Sequence, residues 1–193
     1  MSNPKKTIKT HSELREYNDY FKIDSITVDE FEDGIYKSTY KRFRLTRQDA
    51  VTVLVFNEDT NSVILVKQFR YPISHHSDEN ILEAVAGKID AGETPSQAAV
   101  RELWEEIGYK IPVERLGKSI EMFASPGYST EKITIFLAVV KDSDKDPGAG
   151  GGVQGEHENI EVVEMDINEF MQKIQSNEIK DSKTIIASNL IKL

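Results

Sequence analysis

"GKIDAGETPSQAAVRELWEEIGY" occupies residues 87–109, and its reading decides how the rest of the chain is understood. Thr94 is a good helix N-cap, Pro95 falls at the first helical position, and Gln97 stands where a capping box wants it. Gly108 is a natural terminator. The stretch predicts a helix over about 95–107. At 3.6 residues per turn Val100, Leu103, Trp104 and Ile107 form an apolar stripe, and Glu102, Glu105 and Glu106 fall on the opposite side. Glu102 and Glu106 are neighbours at four apart, and Arg101 is placed to pair with Glu105.

Like charges at this spacing cost a helix roughly 0.2–0.5 kcal/mol per pair. One reading is a solvated acidic face. The other is a face for a hard divalent cation, because carboxylates and waters are what Mg²⁺ takes as ligands. The loop before the helix carries Gly87 and Gly92, so it can fold back and bring Glu93 to the same face. The helix alone leaves both readings open.

The chain has 193 residues, no cysteine and a formal net charge of −9. Its length suits one domain with a small extra arm. Disulfides and thiolate metal sites are excluded. Non-specific nucleic-acid binding rests on Lys/Arg pairing with phosphates, so so acidic a chain is a poor candidate for it. A phosphate substrate would need local arginines or a bound cation. There is no run of the roughly 18 apolar residues that a membrane helix needs, and the start, "MSNPKKTIKTHSELREYNDYF", lacks the apolar stretch of a secretory signal. No membrane partner and a cytoplasmic location are the expectations.

Along the chain, 20–46 reads as two strands around the turn Asp33-Gly34. Further strands are expected at 50–56, 62–69, 81–87, 131–140 and 160–166, with helices over 167–177 and 182–193. These elements make an α+β chain. The segment 141–159 is rich in Gly and charge and reads as a long loop, which in a compact domain is often functional. His75 and His76 have no metal spacing and read as surface loop.

The quoted stretch resembles the Nudix signature, Gly-x5-Glu-x7-Arg-Glu-U-x-Glu-Glu-x-Gly-U, with U a bulky apolar residue. Gly87, Glu93, Arg101, Glu102, Leu103, Glu105, Glu106 and Gly108 match, and Tyr109 is a mild departure at the last position. The resemblance implies an α/β/α sandwich around a mixed sheet and hydrolysis of a nucleoside diphosphate linked to another moiety, with Mg²⁺ or Mn²⁺. Carried onto this chain, Glu102 and Glu106 resemble the principal metal ligands, Glu105 a further ligand or water-orienting group, and Arg101 the residue that orients the glutamates. Glu93 resembles the position that supports the loop and sometimes reaches a metal, and Ala86 the residue whose carbonyl binds one. The pattern Glu-x-Glu-x-Ile makes Glu156 resemble the general base and Glu158 a metal ligand. His157, between them, has no assigned part.

Outside the signature, "VKQFRYP" (66–72), "FASPGYSTEKITIFLA" (123–138), the triple glycine 150–152 and "KDSKT" (180–184) resemble the ADP-ribose pyrophosphatase and GDP-mannose pyrophosphatase branch, the second more closely. This implies that Arg70 contacts the pyrophosphate or terminal sugar. It also implies a homodimer with shared active sites, in which residues 1–48 form an arm and β-hairpin for dimerisation and substrate contact, and 49–193 the hydrolase domain. Arg44 and Arg47 are then available for base or phosphate recognition, and Tyr17 for stacking on a base. The expected reaction gives a nucleoside monophosphate and a sugar 1-phosphate. ADP-ribose as substrate, giving AMP and ribose 5-phosphate, is the nearest alternative. A non-catalytic nucleotide sensor and RNA decapping fit less well.

Overall fold

The computed structural model describes residues 4–76, 79–152 and 160–191. The chain forms two compact units, one of residues 1–49 with 123–132 and the other of 50–122 with 133–193.

The first unit is a three-stranded antiparallel sheet, β1 (Lys6–Asn18), β2 (Lys22–Glu32) and β3 (Ile35–Thr46), in the order β1-β2-β3. The predicted hairpin is present. Asp33 and Gly34 have φ of 51° and 81°, the two positive values that a two-residue type I′ turn requires. The expected arm gains a strand that the sequence did not announce. "KTIKTHSELREYN" has no clean alternation, and every residue of β1 is exposed. The ladder to β2 and cross-strand pairs such as Lys6–Glu30 hold it instead. Residues 123–132 pack on the end of β3: Leu45 N donates to Tyr128 O at 2.7 Å and Thr130 N to Leu45 O at 3.0 Å.

The second unit is built on a mixed seven-stranded sheet. Its order is β10 (Glu161–Asp166), β5 (Ser62–Gln68), β4 (Ala50–Asn57), β9 (Lys132–Val140), β8 (Ile120–Phe123). β6 (Ile81–Glu83) pairs with β5, and β7 (Val85–Lys88) with β4. The strand expected over 81–87 is thus two short ones, because the chain changes partner at Ala84. β4 and β9 run parallel, and the other registered pairs are antiparallel.

Helix α1 (Pro95–Ile107) covers one face, where Ala98, Ala99, Leu103 and Ile107 pack on Val51, Val53 and Val55. The alternate residues Thr52 and Leu54 point the other way and are also fully buried, with α3 (Ser182–Ser188) packed along β4. Burying a Leu or Ile side chain is worth about 1.5–3 kcal/mol, so this two-sided core fixes α1 over β4 and β7. Helix α2 (Ile167–Gln175) buries Ile167 and Phe170, and α3 ends at Ser188 rather than running on to the end of the chain. The result is an α/β/α sandwich. Among the described residues no helix is long and apolar enough to cross a membrane.

Candidate active site

β7, the loop 89–94 and α1 build the site. Thr94 Oγ1 accepts from Gln97 N at 3.3 Å and Thr94 N donates to Gln97 Oε1 at 2.9 Å, so both halves of the capping box form. Gly108, at φ +76°, ends the helix, and its amide and that of Tyr109 reach back to the Trp104 and Leu103 carbonyls.

The glutamates are not where a helical wheel with a solvated acidic face puts them. In angular order the covered arc of α1 runs Ala98, Glu102, Glu106, Ala99, Leu103, Ile107. Glu106 is only 6% exposed, whereas Trp104, assigned to the apolar stripe, is 44% exposed. A wheel gives angles but not what lies opposite them. Here β7 lies opposite, and its backbone receives the acidic side chains. Ala86 N donates to Glu106 Oε2 at 3.3 Å. The Glu102 carboxylate lies against Gly87, where a Cβ would stand 1.8 Å from Glu102 Oε1. Glycine leaves room for the carboxylate on the strand, and any side chain there would displace Glu102 from it.

Arg101 gathers the other acids. Its Nε and Nη2 donate to Glu93 at 2.9 and 3.0 Å, and its Nη1 to Glu102 Oε1 at 2.7 Å and Glu105 Oε2 at 2.8 Å. Nη2 also donates to Lys88 O at 2.9 Å, which ties the helix to β7. Glu93 folds back as the two glycines allow, with Asp90 N donating to its Oε2 at 3.1 Å. Hydrogen bonds from Arg101 hold the Glu93 carboxyl below its usual range against the opposing effect of burial, and the same carboxylates raise the Arg101 guanidinium further above its own.

Glu93, Glu102, Glu105, Glu106 and the Ala86 carbonyl are all hard oxygen donors of the kind Mg²⁺ and Mn²⁺ take, and the space over Gly87 admits a carboxylate to the strand. The donor chemistry therefore fits a hard divalent ion. Among the described residues no three His, Asp or Glu side chains converge in a group able to hold a metal as they stand. Three of the four carboxylates converge on Arg101.

Arg70 lies elsewhere in the same unit. Its Nε and Nη2 donate to Glu83 at 3.0 and 2.7 Å in a bidentate pair, and Glu83 is almost fully buried. Lys183 stands 4.0 Å from the same carboxylate and pairs with Asp181. Arg70, Glu83, Lys67, Lys180 and His76 line a cavity of about 920 Å³, a size suited to a small ligand. Sequence reasoning missed Glu83 and Lys183. The "KDSKT" segment was the available signal, and its Thr184 Oγ1 accepts from Ala84 N at 2.7 Å, which anchors the strand leading to Gly87.

Tyr17, Arg44 and Arg47 belong to the first unit. Arg44 is engaged by Asp24, at 2.9 Å, and by Glu13. Asp24 is buried and also takes Arg15, whose hydrogen bonding holds its carboxyl below the usual range. Arg47 pairs with Glu131 at 3.4 Å and lies over the Phe21 ring. Tyr17 is exposed on β1. Glu156 and Glu158 lie outside the described residues.

Comparison with known proteins places this geometry. The NUDIX domain family matches residues 46–185. A GDP-mannose pyrophosphatase of Escherichia coli O1:K1 / APEC is 33% identical over 178 residues, covering 91% of this chain and 90% of the relative. One of Citrobacter koseri is 34% identical over 176 residues, covering 90% and 89%. A solved structure described as an ADP compounds hydrolase superposes with a TM-score of 0.68 at 21% identity, over 98% of this chain and 92% of that one, a likeness of fold.

Proposed function

The chain belongs to the Nudix family and is a pyrophosphohydrolase of it, and we propose that its substrate is a nucleoside diphosphate sugar, GDP-mannose or a close relative. Cleavage of the phosphoanhydride gives a nucleoside monophosphate and a sugar 1-phosphate. The observation that carries this reading is the placement of two helix carboxylates, Glu102 and Glu106, directly on the β7 backbone at Gly87 and Ala86. The names of relatives one-third identical along nine-tenths of the chain support the sugar nucleotide.

In this reading Glu102, Glu106 and the Ala86 carbonyl would hold Mg²⁺, or Mn²⁺ in its place, and Glu93 would support the loop beside them. Such an ion would supply charge neutralisation at the phosphates and a water of lowered pKa. Arg101 aims Glu93, Glu102 and Glu105 through its hydrogen bonds. Glu105 orients the attacking water, Glu156 takes its proton and Glu158 adds a ligand. Arg70, held by Glu83, presents a guanidinium to the pyrophosphate or sugar. Residues 1–48 act as a dimerisation arm whose Tyr17, Arg44 and Arg47 serve the nucleotide. Exposed Leu14 and Phe43, which flank Ser25 on one face of the three-stranded sheet, favour burial against a second copy. The cytoplasm is the proposed location.

The test is hydrolysis of GDP-mannose, ADP-ribose, ADP-glucose and UDP-glucose with Mg²⁺, with Glu106→Gln as control. Release of a nucleoside monophosphate from GDP-mannose, abolished in the control, is expected. Faster cleavage of ADP-ribose would move the assignment to the ADP-ribose alternative. Glu156→Gln should lower kcat with KM nearly unchanged, and wild-type turnover in it would remove Glu156 from the mechanism. Light scattering at micromolar concentration should give a dimer.

A further inference from the structure

The last turn of α1 carries Glu105 and Glu106 and no basic residue. This is the wrong end of a helix for negative charge, because the unpaired carbonyls there already carry the negative pole of the dipole. The chain answers with a second segment. Gly151 N donates to Glu106 O at 2.8 Å and Gly152 N to Glu105 O at 3.0 Å. The two carbonyls capped from outside the helix are thus those of the two acidic residues.

The capping segment is tightly registered. Asp146 N donates to Gly108 O at 2.8 Å and Lys110 N to Asp144 O at 2.9 Å. The Asp146 carboxylate accepts from Gly148 N at 3.1 Å and from the Trp104 indole at 3.4 Å. Gly150, Gly151 and Gly152 have φ of +99°, +94° and +85°, a run that L side chains rarely adopt. Two of the glycines differ in their reasons. A Cβ on Gly150 would meet Gly108 N and Ile107 C at 3.0 Å, while a Cβ on Gly151 would meet nothing within 4 Å. Gly150 is required by contact, and Gly151 by backbone conformation alone.

We propose that residues 144–152 form a positioning clamp. Gly151 and Gly152 fix the backbone of Glu106 and Glu105, and through it the aim of the Glu106 carboxylate at a divalent cation and of the Glu105 carboxylate at the attacking water. The inference rests on the reading of Glu106 as a metal ligand. Gly151 and Gly152 are positioning residues, since they act through the glutamates.

The test uses the full chain and Mn²⁺ alone as probe, with free Mn²⁺ read by electron paramagnetic resonance. Trp104 is the only tryptophan, so its emission reports the Asp146 contact. Gly151→Val is expected to weaken Mn²⁺ binding about tenfold and shift Trp104 emission. Asp146→Ala should shift emission and weaken Mn²⁺ binding in the same direction, and it covers the case in which Gly151→Val does not fold. Unchanged Mn²⁺ affinity in folded Gly151→Val or Asp146→Ala would overturn the clamp, as would a wild-type protein that takes up no Mn²⁺. Wild-type Mn²⁺ uptake that weakens in the variants, with no hydrolysis of any sugar nucleotide, would sink the substrate reading and leave the clamp standing.

Discussion

The carboxylate of Glu102 fills the space that a side chain at Gly87 would occupy, with only 1.8 Å between its Oε1 and an ideal Cβ there. Gly87→Ala must therefore displace the carboxylate or open β7 from α1. A carboxylate end can move more cheaply than strand backbone, so stability should fall by about 1–3 kcal/mol, while activity, which depends on the aim of Glu102, should fall by roughly 100-fold or more. Thermal melting and initial rates at fixed Mg²⁺ separate the two. Wild-type rates in Gly87→Ala would show that Glu102 need not sit on the strand.

Thr184 connects α3 to the strand that delivers Gly87. Its hydroxyl accepts from Ala84 N at 2.7 Å and donates to Asp181 Oδ2 at 2.7 Å, and the side chain is fully buried. Thr184→Val keeps the shape but leaves the Ala84 amide without that acceptor, at a cost of about 1–3 kcal/mol. For a chain of this size that lowers Tm by roughly 2–12 °C. A Tm within 1 °C of wild type would mean that another group takes the amide.

The buried Glu83 carboxylate holds Arg70 by two hydrogen bonds at 3.0 and 2.7 Å. If Arg70 meets the substrate, Arg70→Ala removes a charge-assisted contact of about 1.5–3 kcal/mol, and KM should rise roughly 10- to 100-fold. Glu83→Gln keeps the arginine but loosens it, and should raise KM less. A KM unchanged in Arg70→Ala would confine the pair to a structural role.

Much of this arrangement was legible beforehand. The capping residues and Gly108 set both ends of α1 within a residue, because caps are local chemistry. Asp33-Gly34 marked its turn for the same reason. What escaped depended on partners distant in sequence. The acidic face reads from the helix alone as either solvated or cation-binding, and neither reading shows that β7 covers it. "ILEAVAG" reads as one strand until its two halves take different neighbours. β1 has no apolar alternation to announce it, and β8 is only four residues long. The triple glycine was visible, but its meaning lies in two carbonyls some 45 residues earlier.

Arg101 is the shared partner of Glu93, Glu102 and Glu105, whose side chains are 22%, 12% and 22% exposed. Arg101→Gln leaves three partly covered carboxylates without their cation, and stability at pH 7 should fall by about 2–3 kcal/mol. Because Arg101 holds the Glu93 carboxyl below its usual 4.5, this part of the stability is fully present above that pH. It drains away as pH falls below 4.5 towards the folded-state value, where the proton displaces the ion pair. The Tm gap between wild type and Arg101→Gln should therefore be widest near neutrality and shrink as pH falls below 4.5. Mg²⁺ should narrow the gap at pH 7, because the added cation replaces part of the lost charge for the carboxylates that bind it. Scanning fluorimetry from pH 3 to 7, with and without Mg²⁺, reads both effects. A gap constant across that range would mean that Arg101 stabilises the site by packing and not by its charge.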